Sequence, residues 1–113
     1  TYRGCAMHTN LRLSRRTKRV IRWLRKHYPS RKKVRVRVAP NDDRCDWYGI
    51  CIYDDTSALI KLRDGTPPDT EIETLVEEWT HVLRTECPLP IEDEHDALFW
   101  AIYATIIKKF RGE

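Results

Sequence analysis

Apolar positions recur with two different periods along this chain, and the changes of period mark its elements. Leu13, Thr17, Val20, Ile21, Leu24 and Tyr28 follow the three- and four-residue spacing of one helix face. Ser14 suits the N-cap and Pro29 ends the pattern, so the spacing predicts a helix over residues 14–28. Val34, Val36 and Val38 then alternate with Arg35 and Arg37, the period of a half-buried strand with a basic outer face. Pro40, Asn41 and Asp42 mark a turn. Residues 47–53 read as a second strand, Asp54 and Asp55 as a turn, and residues 58–62 as a third strand closed by Asp64 and Gly65. Connections this short favour an antiparallel meander.

Thr66-Pro67-Pro68-Asp69 leads into a second helix. Thr70 or Asp69 would cap it, and Glu71 and Glu73 suit its positive end. Ile72, Leu75, Val76, Trp79, Val82 and Leu83 share one side. At 100° per residue, Thr74, Glu77, His81 and Arg84 share the other. Pro88 and Pro90 interrupt the chain. A third helix is predicted from about Asp93 to Phe110, ending near Gly112. It is apolar almost all round from Ala97 to Ile107, so it should be substantially buried. The expected class is α+β: a helix, a three-stranded mostly antiparallel sheet, then two helices. Residues 1–13 form an N-terminal arm and residues 14–113 a single domain.

Composition changes this picture little. The 113 residues are 41% hydrophobic and 34% charged, which suits one globular domain. No apolar run approaches the roughly 20 residues of a membrane span, and no segment has the form of a signal peptide. Cys5, Cys45, Cys51 and Cys87 form no CxxC pair, which argues against a cysteine zinc site and for reduced thiols in a cytoplasmic protein.

Charge changes it more. Residues 1–41 hold 14 Lys or Arg and no acid, whereas the remainder holds seven bases and all 17 acids. Such asymmetry points to nucleic acid or an acidic protein as partner of the basic part. The candidate contacts are Arg15, Arg16, Lys18, Arg19, Arg22, Arg25 and Lys26 on the first helix, with Arg35 and Arg37 on the first strand. The plainer reading is that the basic half docks on the acidic half and is otherwise solvated.

The candidate chemistry lies in Glu77-Glu78-Trp79-Thr80-His81. Residues i and i+4 stack on one helix face, so Glu77 and His81 can grip one ion. Glu78 is displaced about 100° around the axis, where it reaches a water rather than the ion. HExxH works the same way, with two histidines binding zinc and the glutamate acting as general base. The plain alternative is a solvated acidic run with a Glu77–His81 surface pair. His95 is followed at helical spacing by Phe99, Ile102 and Ile106 and should point into the body.

The stretch from Thr74 to Leu83 resembles the active-site helix of compact SprT-like and ImmA-like zincins, including small phage-encoded members. Glu94-His95-Asp96-Ala97-Leu98-Phe99-Trp100 resembles the stretch in which their third ligand opens the last helix. The likeness covers roughly residues 14–110. It implies a zinc metallopeptidase with Glu77, His81 and His95 as metal ligands and Glu78 as catalytic base. It also implies an extended protein or peptide substrate along the edge of strand 47–53 or 58–62. Glu77 departs from the pattern, standing where HExxH has its first histidine. Two histidines and a carboxylate remain a known zinc set, and the oxygen ligand widens the choice to Mn2+ or Fe2+. The same departure opens the alternative of a degenerate, non-catalytic zincin that binds a protein or nucleic acid. Tyr103, Tyr48 and Arg84 are oxyanion-donor candidates by residue type alone. Trp47 is a candidate stacking residue beside Tyr48. The acidic pairs near residues 42 and 54 lack EF-hand spacing and read as turns.

Overall fold

The helical spacing after Ser14 builds the first element as expected. In the computed structural model, which describes residues 11–41 and 46–112, α1 spans Arg15–His27. The Ser14 hydroxyl caps it by accepting from the Thr17 backbone N–H at 3.1 Å. Its far end closes on a Tyr28 N–H to Leu24 carbonyl bond of 2.8 Å. Then follow β1 (Lys33–Ala39), β2 (Gly49–Tyr53), β3 (Ser57–Arg63), α2 (Pro68–Thr85) and α3 (Ala97–Gly112). The α+β class and the order helix, strands, two helices are as expected. Residues 1–10 of the predicted arm lie outside the described residues, and Leu13 packs against the core.

The sheet is not the meander predicted from its short connections. Its order is β1-β3-β2, with β1 parallel and β2 antiparallel to β3. Strand β2 leaves a slot beside β1 that β3 later fills. The turn into β3 is tight because Asp54 Oδ1 accepts from the Thr56 and Ser57 N–H groups, at 2.9 and 2.8 Å. Both β1 and β2 are therefore edges, and β3 is the centre. Ala58, Ile60 and Leu62 of β3 are buried in one cluster with Val20, Ile21 and Leu24 of α1 and Leu75, Val76 and Trp79 of α2. The Trp79 indole N–H reaches the Tyr28 carbonyl at 2.9 Å, satisfying both polar groups and tying α1 to α2.

Two helix expectations need correction. Neither Thr70 nor Asp69 caps α2, which begins at Pro68 with Pro67 in the cap position and no side-chain cap bond. Asp69 instead pairs with Arg16 at 2.7 Å, and Glu71 accepts from the Thr17 hydroxyl, so the acidic first turn of α2 serves to dock α1. Helix α3 is not buried all round. It packs along α2 and reaches α1 mainly where the Phe110 ring meets Trp23. Only Phe99 and Ile106 of α3 are fully enclosed, and Trp100 remains 47% exposed.

Strand β2 approaches α2 closely at Gly49. A Cβ there would lie 2.4 Å from Thr74 Cγ2 and 3.3 Å from Glu78 Cγ. Gly49→Ala should therefore cost about 1–3 kcal/mol by overpacking, read from urea denaturation. Thr74→Ser, which deletes the clashing methyl, should recover most of that loss in the double variant. Recovery no better than additive would mean the methyl is not the obstacle.

Candidate metal centre

Helix α2 places Glu77 and His81 one turn apart on the side that faces the start of α3. His95 comes to them from a turn just ahead of α3, not from the helix itself, because α3 begins at Ala97 rather than near Asp93. The two imidazole Nε2 atoms lie 3.1 Å apart, and His95 Nε2 lies 3.5 Å from Glu77 Oε2. All three ligand atoms fall within 4.8 Å of one another. Tetrahedral ligands at 2.0–2.1 Å from zinc would be roughly 3.3 Å apart, close to the 3.1 and 3.5 Å that separate His95 from His81 and Glu77. Without an ion, the same contact lets one imidazole N–H donate to the other ring. Burial, and next the charge of His95, holds His81 below the ordinary histidine range. That favours the neutral imidazole a metal requires. Phe99, fully buried, braces both rings at centroid distances of 4.5 and 4.7 Å.

The turn bearing His95 is fixed by Arg84 and Asp96. Arg84 Nε and Nη2 donate to the two Asp96 carboxylate oxygens at 3.1 and 2.8 Å. Its Nη1 and Nη2 also donate to the Leu89 and Pro90 carbonyls at 3.1 and 2.7 Å. The two side chains are 3% and 8% exposed. Asp96 also accepts from the Phe99 N–H at 2.9 Å, the N-cap bond of α3. The Arg84 guanidinium, then this N–H, pull the Asp96 carboxyl down to about 2. Arg84 thus uses four of its five N–H donors in holding the loop while also lining the cleft. Of the other two candidates, Tyr48 is exposed and Tyr103 stacks on Phe99 at 6.4 Å.

Glu78 lies beside this cluster with only 7% of its surface exposed. Burial first, then the charges of Glu77 and Glu94, push its carboxyl up to about 7. It faces a cleft of about 300 Å³ with His81, Glu94, Ile91, Cys51 and Tyr53. Strand β2 forms one wall and, among the described residues, has no strand partner on its outer side. Cys51 and Cys87 are free thiols, and burial raises Cys51 to about 12, so it is no nucleophile. Cys5 and Cys45 lie outside the described residues.

The structure thus brings Glu77, Glu78, His81 and His95 together and keeps the basic candidates elsewhere. Arg15, Lys18, Arg19, Arg22, Arg25 and Lys26 are exposed on α1, Arg35 and Arg37 on β1, and Arg16 is engaged with Asp69. Sequence reasoning missed Glu94 as a cleft residue, and it missed the Arg84–Asp96 pair. The Asp three positions ahead of Phe99 was a readable cap signal; its partner Arg84 carried none. No helix among the described residues is long and apolar enough to cross a membrane. No protein-family model, curated protein or solved structure matches the chain.

Asp96→Asn keeps a capping side chain but removes the charge that Arg84 grips. It should weaken zinc binding by about 10–100-fold, as loss of a residue supporting metal ligands does, while leaving the circular-dichroism spectrum helical. Unchanged affinity would show that the pair does not set the His95 position. A second outcome concerns Glu78 in the metal-free protein. Its folded pKa exceeds the ordinary carboxyl value of 4.5, so the folded state holds this proton more tightly. Its contribution is favourable at low pH and lost as pH rises from about 4.5 through about 7. The stability advantage of Glu78→Gln over the wild type should therefore grow between pH 5 and pH 8 in paired urea titrations. A constant difference would contradict the raised value.

Proposed function

We propose that this chain is a metal-dependent peptidase of zincin type, holding zinc, or Mn2+ or Fe2+, through Glu77, His81 and His95. The observation that carries the reading is the convergence of these three ligand atoms, within 4.8 Å, beside a buried carboxylate in an open cleft. A bound divalent cation would supply Lewis-acid polarisation of a carbonyl and acidify a water.

The rest of the chemistry belongs to the chain. Glu78 is the general base: its carboxylate takes the proton of the attacking water and returns it to the leaving amine. A carboxyl pushed up to about 7 before any cation binds is poised to exchange protons near neutrality. The free edge of β2 offers main-chain donors and acceptors to an extended peptide, which would lie along the cleft wall next to Glu78. Gly49 keeps that wall close to α2. Burial of Tyr103, then the charges of Glu73 and Glu77, keeps its hydroxyl protonated well above neutrality.

The test combines metal analysis with turnover. Protein purified without chelator should carry about one zinc per chain, lost in both His81→Ala and His95→Ala. Glu78→Gln should retain the metal and lose about 10²–10⁴-fold in hydrolysis of an unstructured protein substrate. Glu77→His should keep or tighten zinc binding. Metal retention with no hydrolysis by the wild type would favour the non-catalytic zincin. No metal even after dialysis against zinc would remove both readings.

A further inference from the structure

Helix α1 is tied to β1 by Arg25 Nη2 donating to the Val34 carbonyl at 2.9 Å. The seam between them is open on both sides of this bond. One half, of about 380 Å³, is lined by Arg25, Lys33 and Arg35 over Val34 and Trp79. The other, of about 210 Å³, is lined by Lys18, Arg22 and Arg25 over Ile21 and Val36. Among the described residues, no carboxylate lines either half.

The placement follows from helix geometry. Lys18, Arg22 and Arg25 fall within an arc of about 60° on the β1 flank of α1. Arg16, on the opposite flank, is already neutralised by Asp69. Lys32 is also committed, donating to the Asp54 and Asp55 carbonyls at 2.8 and 3.2 Å. Among the described residues, no acidic side chain is paired with Lys18, Arg22, Arg25, Lys33 or Arg35.

We propose that the α1–β1 seam is a binding groove for a single-stranded nucleic-acid backbone. Two cationic rims flank an apolar floor, so phosphates meet Lys18, Arg22, Arg25, Lys33 and Arg35 while sugars and bases lie over Ile21, Val34 and Val36. A seam between one helix and one strand admits a single backbone. A duplex, whose backbones are held across grooves of about 6–12 Å, cannot lower both strands into it. The groove is lined by β1 and the candidate metal cleft by β2, with β3 between the two strands. A bound strand would leave the cleft free, and the groove stands whether or not the metal centre is catalytic.

Fluorescence anisotropy with a labelled oligothymidylate of about 20 nucleotides, across about 50–200 mM salt, tests this. Affinity should fall steeply with salt, by about 0.7 in log–log slope per phosphate contacted. Arg22→Gln with Arg35→Gln should weaken binding by at least about tenfold and reduce the slope by about 1–2. Arg19→Gln with Lys26→Gln removes the same charge from the solvent side of α1 and should change affinity less than about threefold. Equal losses in the two pairs would reduce the effect to net charge and overturn the groove. So would absence of wild-type binding, or tighter binding of duplex DNA or of phosphatidylserine vesicles. Zinc content, measured in every variant, separates failure of the groove from failure of the metal centre.

Discussion

The geometry of the candidate metal site depends on where the turn ahead of α3 is held, and Arg84 and Asp96 hold it. Two candidate ligands ride on α2 and come with its helical register, but His95 belongs to a segment interrupted by Pro88 and Pro90 that has no regular structure. A ligand on such a segment would not by itself stay within 3.1 Å of His81. Arg84 sits one turn beyond His81 on the same helix, so its guanidinium transmits the position of α2 directly to the loop. Asp96 transmits it onward, because the carboxylate that accepts from Arg84 also caps α3 through the Phe99 N–H. Phe99 then sets its ring against both imidazoles. One buried charge pair thus fixes a ligand, a helix start and the apolar floor of the site together.

Helix α2 serves as the common wall of the molecule. Its apolar side closes the core against β3 and α1, its first turn docks α1 through Asp69 and Glu71, and its other side carries Glu77, His81 and Arg84. Glu78 lies between these faces, which is why it is buried and yet borders the cleft. The missing side chain at Gly49 lets β2 come close enough to complete that cleft. Function and folding therefore draw on the same contacts, and little of the site can shift without disturbing the core.

Much of this was legible along the chain, and the failures have physical reasons. Val20, Ile21 and Leu24 announce α1 because a buried helix face must repeat with the helix period. The valines of β1 announce a strand in the same way. Strand pairing has no such signature: alternation states which face of a strand is buried, not which neighbour it meets, so β3 entering between β1 and β2 could not be read. The burial of α3 was overestimated because apolar residues are necessary but not sufficient for enclosure. The helix lies against α2 without a layer on its other side, leaving Trp100 exposed. The Glu77–His81 pairing follows from local periodicity. The inward direction of His95 was anticipated from a helix that in fact begins two residues later. The Arg84–Asp96 clamp bridges two elements through an irregular loop, and no periodicity encodes that.

The electrostatics of the cluster make a single account of these features. Glu77, Glu78 and Glu94 surround two imidazoles, and burial shifts the His81 ring toward its neutral form. Three carboxylates concentrate negative charge in a partly dry cleft, and burial, with the charges of Glu77 and Glu94 behind it, raises Glu78 to about 7. A cation between Glu77, His81 and His95 would relieve that charge. It would replace repulsion on Glu78 with attraction and favour the ionised carboxylate that the proposed general-base role requires. Glu77 in place of a histidine then has a consistent role. In the proposed centre it would add negative charge beside two imidazole ligands, strengthening the hold on a divalent ion and tying the protonation of Glu78 to the presence of that ion. The carboxylate at position 77 is thereby compatible with a working centre on chemical grounds, since what it removes in nitrogen ligation it supplies in charge.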